Sequence, residues 1–242
     1  MLINKVTIIV PTYNRSGFLY RSLKYYSSLK LPIKILIADS SDDDYHIKRN
    51  VQASDDYKNN LEISYFYTIN GFYTKIFEAV KLSTTQFIVF CADKDFLIME
   101  GLLKCVKYLY NHNNFSLVRG KAVNIFNVTE NIYFTEDIIF TRPIKGSSCE
   151  FDLPHLRLQT YLNKFYSTFY SVYRRDELID SLTKVIKVDD EPLRLPELFL
   201  GCLTLIKGKA KEIGTLFHIR QSWRMSGAVF KKWEIEKSKK NY

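Results

Sequence analysis

Residues 87–97 read FIVFCADKDFL: an apolar, β-prone run meets Asp93-Lys94-Asp95 and then turns apolar again. A buried carboxylate is costly unless something cationic receives it. Asp93 and Asp95 are therefore either solvated turn residues or groups that face a metal ion or ligand. Two other apolar runs also end in polar residues, VTIIV (6–10) in Pro11-Thr12-Tyr13-Asn14-Arg15 and IKILIA (33–38) in Asp39-Ser40-Ser41. Ligands of an open parallel sheet bind at the carboxyl ends of its strands, so these three termini are expected to converge along one edge. Spaced two apart, Asp93 and Asp95 are expected on the same side. A carboxylate pair there suits Mg²⁺ or Mn²⁺ bridged to a diphosphate, because hard cations take oxygen ligands and leave positions open for substrate phosphates. Neither GxGxxG nor GxxxxGK[ST] occurs, so a glycine-rich phosphate loop is not the device.

The elements that must position these residues alternate through the first half. VTIIV reads as a central parallel strand stopped by Pro11, and residues 16–29 as a helix with Ser16 as its N-cap. IKILIA, LEISYFY (61–67) and FIVFCA (87–92) read as further strands, and 72–82 and 98–111 as helices. Such alternation predicts βαβ units, an α/β fold with a mostly parallel central sheet flanked by helices. Beyond it, 115–141 read as two or three strands, FYSTFYSVY (165–173) as another, PELFLGCLTLIK (196–207) as a helix and KEIGTLFHIR (211–220) as a final strand. No internal repeat or linker divides the chain.

The 242 residues suffice for one large α/β domain, and a 46% hydrophobic, 25% charged composition is that of an ordinary soluble globular protein. Seventeen Tyr and seventeen Phe predict a well-filled core and aromatic-lined ligand surfaces. Cys91, Cys105, Cys149 and Cys202 form no CxxC and have no His at zinc spacing, so buried free thiols in a reducing compartment are expected. The opening residues lack a signal-peptide pattern and no apolar run approaches 18 residues, which predicts a cytoplasmic protein. The net charge of +9, part of it in the terminal KKWEIEKSKK, favours anionic partners. Nucleic acid is not expected, since no zinc-finger spacing, RNP motif or dense basic helix occurs. The tail either solubilises the chain or draws it to an anionic membrane face, as a peripheral association with the inner membrane surface.

VTIIVPTYNRSGFL, ILIADSS and TTQFIVFCADKDFL together resemble the N-terminal half of family 2-type glycosyltransferases with the GT-A fold. FYSVYRRDEL and PELFLGCLTLIKGKAKEIGTLFHIRQ resemble the acceptor-side half of a bacterial branch of that group. The resemblance implies a single GT-A domain over 1–225, with a nucleotide-binding half (1–97) and an acceptor half (98–225), followed by a basic tail over 226–242. It implies a metal-dependent, inverting transfer of a sugar from a nucleoside diphosphate, UDP by expectation, to a hydroxyl of a bacterial surface glycan or glycolipid. Pro11, Thr12 and Tyr13 would line base and ribose, with Arg15 beside them; Asp39 would accept from the base and Lys75 would sit near base or phosphate. Asp93 would meet ribose or sugar, and Asp95 would hold Mn²⁺ or Mg²⁺ with Asp93 beside it. Many relatives carry an acid between these two; here Lys94 stands there, and it is expected to point away.

His218 falls where relatives often place a metal or diphosphate ligand, with Arg220 and Arg224 able to neutralise phosphate. Glu197 matches the family's catalytic carboxylate, the general base near the acceptor hydroxyl. Asp189, Asp190 and Glu191 are the runners-up for that role, and Glu197 could instead be a favourable first-turn acid. A sugar-nucleotide nucleotidyltransferase would show a glycine-rich loop after the first strand, where PTYNRSGF has only Gly17. A non-catalytic nucleotide- or glycan-binding domain is the rival from another class.

Overall fold

A computed structural model describes residues 2–127, 138–188 and 194–222. Strands β1 (Val6–Thr12), β2 (Lys34–Asp39), β3 (Glu62–Tyr67) and β4 (Phe87–Phe90) lie side by side in the order β3-β2-β1-β4, all parallel. Helices α1 (Ser16–Ser28), α2 (Asp44–Tyr57) and α3 (Phe72–Leu82) connect them in turn. Both faces of this sheet are covered, so alternate residues of one strand enter different cores. Val6, Ile8 and Val10 pack with Leu19, Leu23 and Tyr26 of α1, whereas Ile9 packs on the other face with Ile76 and Val80 of α3. Phe87 and Val89 likewise go one way, and Ile88 and Phe90 the other. Two-sided burial is the physical reason that these runs are apolar at nearly every position.

Past α4 (Met99–Asn111) the pairing changes. β8 (Val172–Arg174) joins β4 and β6 (Phe115–Asn127), antiparallel to both. β6 pairs antiparallel with β7 (Ile138–Ile144) and parallel with the long β9 (Lys209–Ser222), which pairs antiparallel with β5 (Phe96–Leu97). The parallel pattern expected from the sequence thus holds through β1–β4, and the sheet as a whole is mixed. Helices α5 (Pro154–Asn163), α6 (Arg175–Val185) and α7 (Arg194–Lys207) cover the face that α3 begins. Close approach of α5 to α7 requires Gly201, because a Cβ there would lie 2.1 Å from the Tyr161 hydroxyl.

Three sequence expectations need correction. Ser16 is the first helical residue of α1 and caps nothing; Arg15 precedes the helix without a side-chain cap, and the Ser16 hydroxyl instead meets His46 Nδ1 at 2.9 Å. Residues 165–171 are not strand: the chain is tied there by turn bonds such as Ser171 N–H to Phe169 O, and only 172–174 pair. Helix α2 went unread because its buried face holds just Asn50 and Ala53, too sparse for an apolar period. All four cysteines are unpaired thiols, three of them buried. Among the described residues no helix is long and apolar enough to cross a membrane.

Candidate active site

The carboxyl ends of β1, β2 and β4 meet as the topology requires. Asn14 takes a left-handed conformation (φ 51°), one that Asn tolerates better than most residues, and so reverses the chain after β1. Its N–H donates to Ser41 Oγ at 2.9 Å, while Asn14 Nδ2 and the Tyr13 hydroxyl each donate to Asp42 at 2.6 Å. These bonds lock the loop after β1 to the loop after β2. Thr12 Oγ1 donates to Asp93 Oδ2 at 2.9 Å and the Arg15 guanidinium stands 3.8 Å from Asp93 Oδ1. Lys75, from the first turns of α3, donates to the Thr12 carbonyl at 2.9 Å and to Ser40 Oγ at 2.7 Å.

Above these residues opens a cavity of about 630 Å³. Pro11, Thr12, Tyr13, Arg15, Lys75 and Asp93 from the first half of the chain line it together with Ser167, Phe169, Tyr170, Glu197 and Arg220 from the second. A volume of that order is normal for a small-molecule site. Burial pushes the Asp93 carboxyl up to about 6, against the pull of Arg15 and the Thr12 hydroxyl. Burial also lowers the Lys75 ammonium to about 8, with Asp39 and Asp93 opposing.

Asp39 does not line the cavity. It is fully buried, and each oxygen is taken twice: Oδ1 accepts from the Ser41 N–H (2.8 Å) and hydroxyl (2.6 Å), and Oδ2 from Asn50 Nδ2 (2.7 Å) and the Tyr65 hydroxyl (2.7 Å). A carboxylate has about four acceptor sites, so a base N–H could reach Asp39 only by displacing one of these donors.

Asp93 and Asp95 do not share a face. β4 ends at Phe90, and both acids sit in or beside the tight turn that follows, so the two-residue period of a strand no longer orients them. Asp95 is fully buried. Its Oδ1 accepts from the Gln221 main-chain N–H at 3.0 Å and its Oδ2 from the Tyr170 hydroxyl at 2.5 Å. His218 Nε2 lies 3.6 Å from the same Oδ2, is itself buried, and has no hydrogen-bond partner among the described residues. Burial keeps the imidazole below its usual pKa, with Asp95 opposing. Burial alone would raise the Asp95 carboxyl, but contacts with His218, Tyr170 and the Gln221 N–H hold it below the usual range.

Among the described residues, no three His, Cys, Asp or Glu side chains gather into a ready cation cluster. Asp95 and His218 meet as a pair, and Asp93 faces Arg15. One or two carboxylates completed by substrate phosphates are the usual holding of Mg²⁺-type ions, and an imidazole nitrogen with no other partner is a further donor. The residues therefore fit a divalent cation whose coordination a substrate completes. Lys94 is half-buried outside the cavity lining; burial lowers its pKa, and it feels Asp95, Arg220, Arg15 and Asp93.

Glu197 reaches the cavity from the first turn of α7, which begins at Arg194, two residues before the sequence suggested. Asp189, Asp190, Glu191, Arg224 and the 226–242 tail lie outside the described residues. Sequence reading missed Phe72, Tyr73, Ser167, Phe169 and Tyr170 as cavity residues. The aromatic density of FYSTFYSVY is a usable signal for the last two of these, although the sequence reads there only as a strand.

The family model described as "Glycosyl transferase family 2" matches residues 7–181. No curated protein matches the chain significantly. Among solved structures, S. aureus TarS matches with TM-score 0.59 and 16% identity over 95% of this chain and 38% of that one. TarS 1–349 in complex with UDP-GlcNAc matches with TM-score 0.58 at 16% identity, over 92% of this chain and 60% of that one. The same segment in complex with UDP gives 0.60 at 16%, over 95% and 63%. At that identity the likeness shows the fold, the expected α/β GT-A arrangement, and this chain spans less than two thirds of each of these structures.

Proposed function

Because the chain belongs to glycosyl transferase family 2, we propose that it moves a sugar from a nucleoside diphosphate, UDP-linked, to an acceptor hydroxyl with inversion. The observation that carries this reading is the charge pattern of one cavity. Arg15, Lys75 and Arg220 line it and would supply the positive charge that a diphosphate needs, and Glu197 enters from a different element. TarS structures that hold UDP and UDP-GlcNAc support the choice of donor class.

In the reaction the acceptor oxygen forms a bond to the anomeric carbon while the bond from that carbon to the diphosphate oxygen breaks. The electron pair leaves on the diphosphate, where Arg15, Lys75 and Arg220 stabilise the growing charge. Glu197 takes the acceptor's proton. Thr12 and Arg15 orient Asp93 toward ribose or sugar. Asp95 and His218 would hold Mn²⁺ or Mg²⁺ together with substrate phosphates, and the ion would supply further charge stabilisation to the leaving group when bound. Asp39 serves through its four donors, fixing the loop that flanks the base. The acceptor we propose is a hydroxyl of a bacterial surface polysaccharide or glycolipid, met at the cytoplasmic membrane face through the basic tail.

A thermal-shift and calorimetric panel of nucleoside diphosphates, with and without Mn²⁺, tests the reading. UDP should stabilise the protein, and Mn²⁺ should increase the effect. A protein indifferent to every nucleotide would contradict it.

A further inference from the structure

Tyr170 separates the cavity from the Asp95–His218 pair. One side of it lines the cavity, to which neither Asp95 nor His218 contributes. On the other side its hydroxyl donates at 2.5 Å to Asp95 Oδ2, the oxygen that stands 3.6 Å from His218 Nε2. Its ring stacks on the imidazole, with centroids 3.8 Å apart and planes 20° from parallel. Tyr170 therefore blocks the cavity-side approach to both donor atoms.

We propose that Tyr170 is a displaceable cap on the cation site, occupying Asp95 Oδ2 in the substrate-free protein and giving it up when a divalent cation and nucleotide enter. The inference rests on the nucleotide-sugar reading above and adds a residue to it. Its chemistry is competition: a neutral hydroxyl and a divalent cation seek the same carboxylate oxygen, and the cation is the stronger partner.

The surrounding structure favours movement of the side chain over movement of the whole segment. Arg119 Nη1 holds the Ser167 carbonyl at 3.0 Å, Phe169 stacks on Phe90 at 5.0 Å, and β8 begins at Val172. Asp95 Oδ1 keeps the Gln221 N–H throughout, so the carboxylate stays aimed. Tyr170 sits between Phe169, which faces the cavity, and Ser171, whose buried hydroxyl has no partner among the described residues. Displacing the ring would open a way from the cavity to Asp95.

The test is Mn²⁺ titration by calorimetry at saturating UDP, for wild type, Tyr170→Phe and Tyr170→Ala, with melting curves confirming the fold. Tyr170→Phe removes only the competing hydrogen bond and should bind Mn²⁺ about five- to tenfold more tightly. Tyr170→Ala also removes the stacked ring and should bind at least as tightly as the Phe variant. Equal affinity in all three proteins, or weaker binding in the variants, would overturn the cap and leave the metal reading standing. UDP binding that is the same in EDTA, with no Mn²⁺ bound by any of the three, would overturn the metal reading and the cap together.

Discussion

Asn50, in the middle of α2, donates to Asp39 Oδ2 at 2.7 Å and so joins that helix to the end of β2. Hydrogen bonds to a charged group contribute about 1.5–3 kcal/mol. Asn50→Ala should therefore lower unfolding free energy by about that amount, read by denaturant titration, and weaken UDP binding. Asp39→Ala strands four donors and should cost more. If Asp39 mattered only by touching the base, Asn50→Ala would leave stability unchanged.

That bond also marks where sequence reading stops. The parallel strands were legible because two-sided burial makes β1, β2 and β4 apolar almost throughout, and the polar residues after each were legible as a shared edge. α2 was not, since its inward face holds an asparagine bonded to a carboxylate and carries almost no apolar stripe. The pair Asp93-x-Asp95 was found, but its orientation was not. A tight turn obeys no strand period, and Tyr170 arrives from 75 positions away.

Lys75 gives a pH dependence with a definite sign. Burial lowers its pKa to about 8, so the ammonium is present below that value and lost above it. UDP affinity should therefore fall as pH rises through about 8, and binding near pH 8.5 should take up a proton as the diphosphate restores the charge. Calorimetry in buffers of different ionisation enthalpy reads that uptake. Lys75→Met should abolish it, and an unchanged uptake in that variant would assign the proton to another group.

Lys94 stands close enough to Asp95 and Asp93 for both to act on its pKa. Removing a nearby positive charge favours a cation at the same place. Lys94→Ala should then bind Mn²⁺ at least as tightly as wild type in the presence of UDP. Weaker UDP binding in a folded Lys94→Ala would show that the ammonium itself meets the diphosphate.

Glu197 separates chemistry from capping by magnitude. A general base is worth about 10²–10⁴ in rate, whereas a first-turn acid contributes about 0.3–1 kcal/mol of stability. Glu197→Gln should bind UDP normally, melt within a few degrees of wild type and transfer almost no sugar. Transfer at the wild-type rate would make Glu197 a helix-end acid and send the search to Asp189, Asp190 and Glu191.

Gln221 closes the site from the far end of the chain: its N–H reaches Asp95 across 126 positions and its Oε1 accepts from Arg21 across 200. Bonds of such sequence separation form late, because loop-closure entropy must be overcome before they contribute. The four parallel strands use partners much nearer in sequence and can collapse while β9 is still being synthesised. A nascent chain lacking β9 would then hold the crevice at the ends of β1, β2 and β4 with Asp95 still open to water. In the order of folding, the residue proposed to grip the cation is among the last to be enclosed.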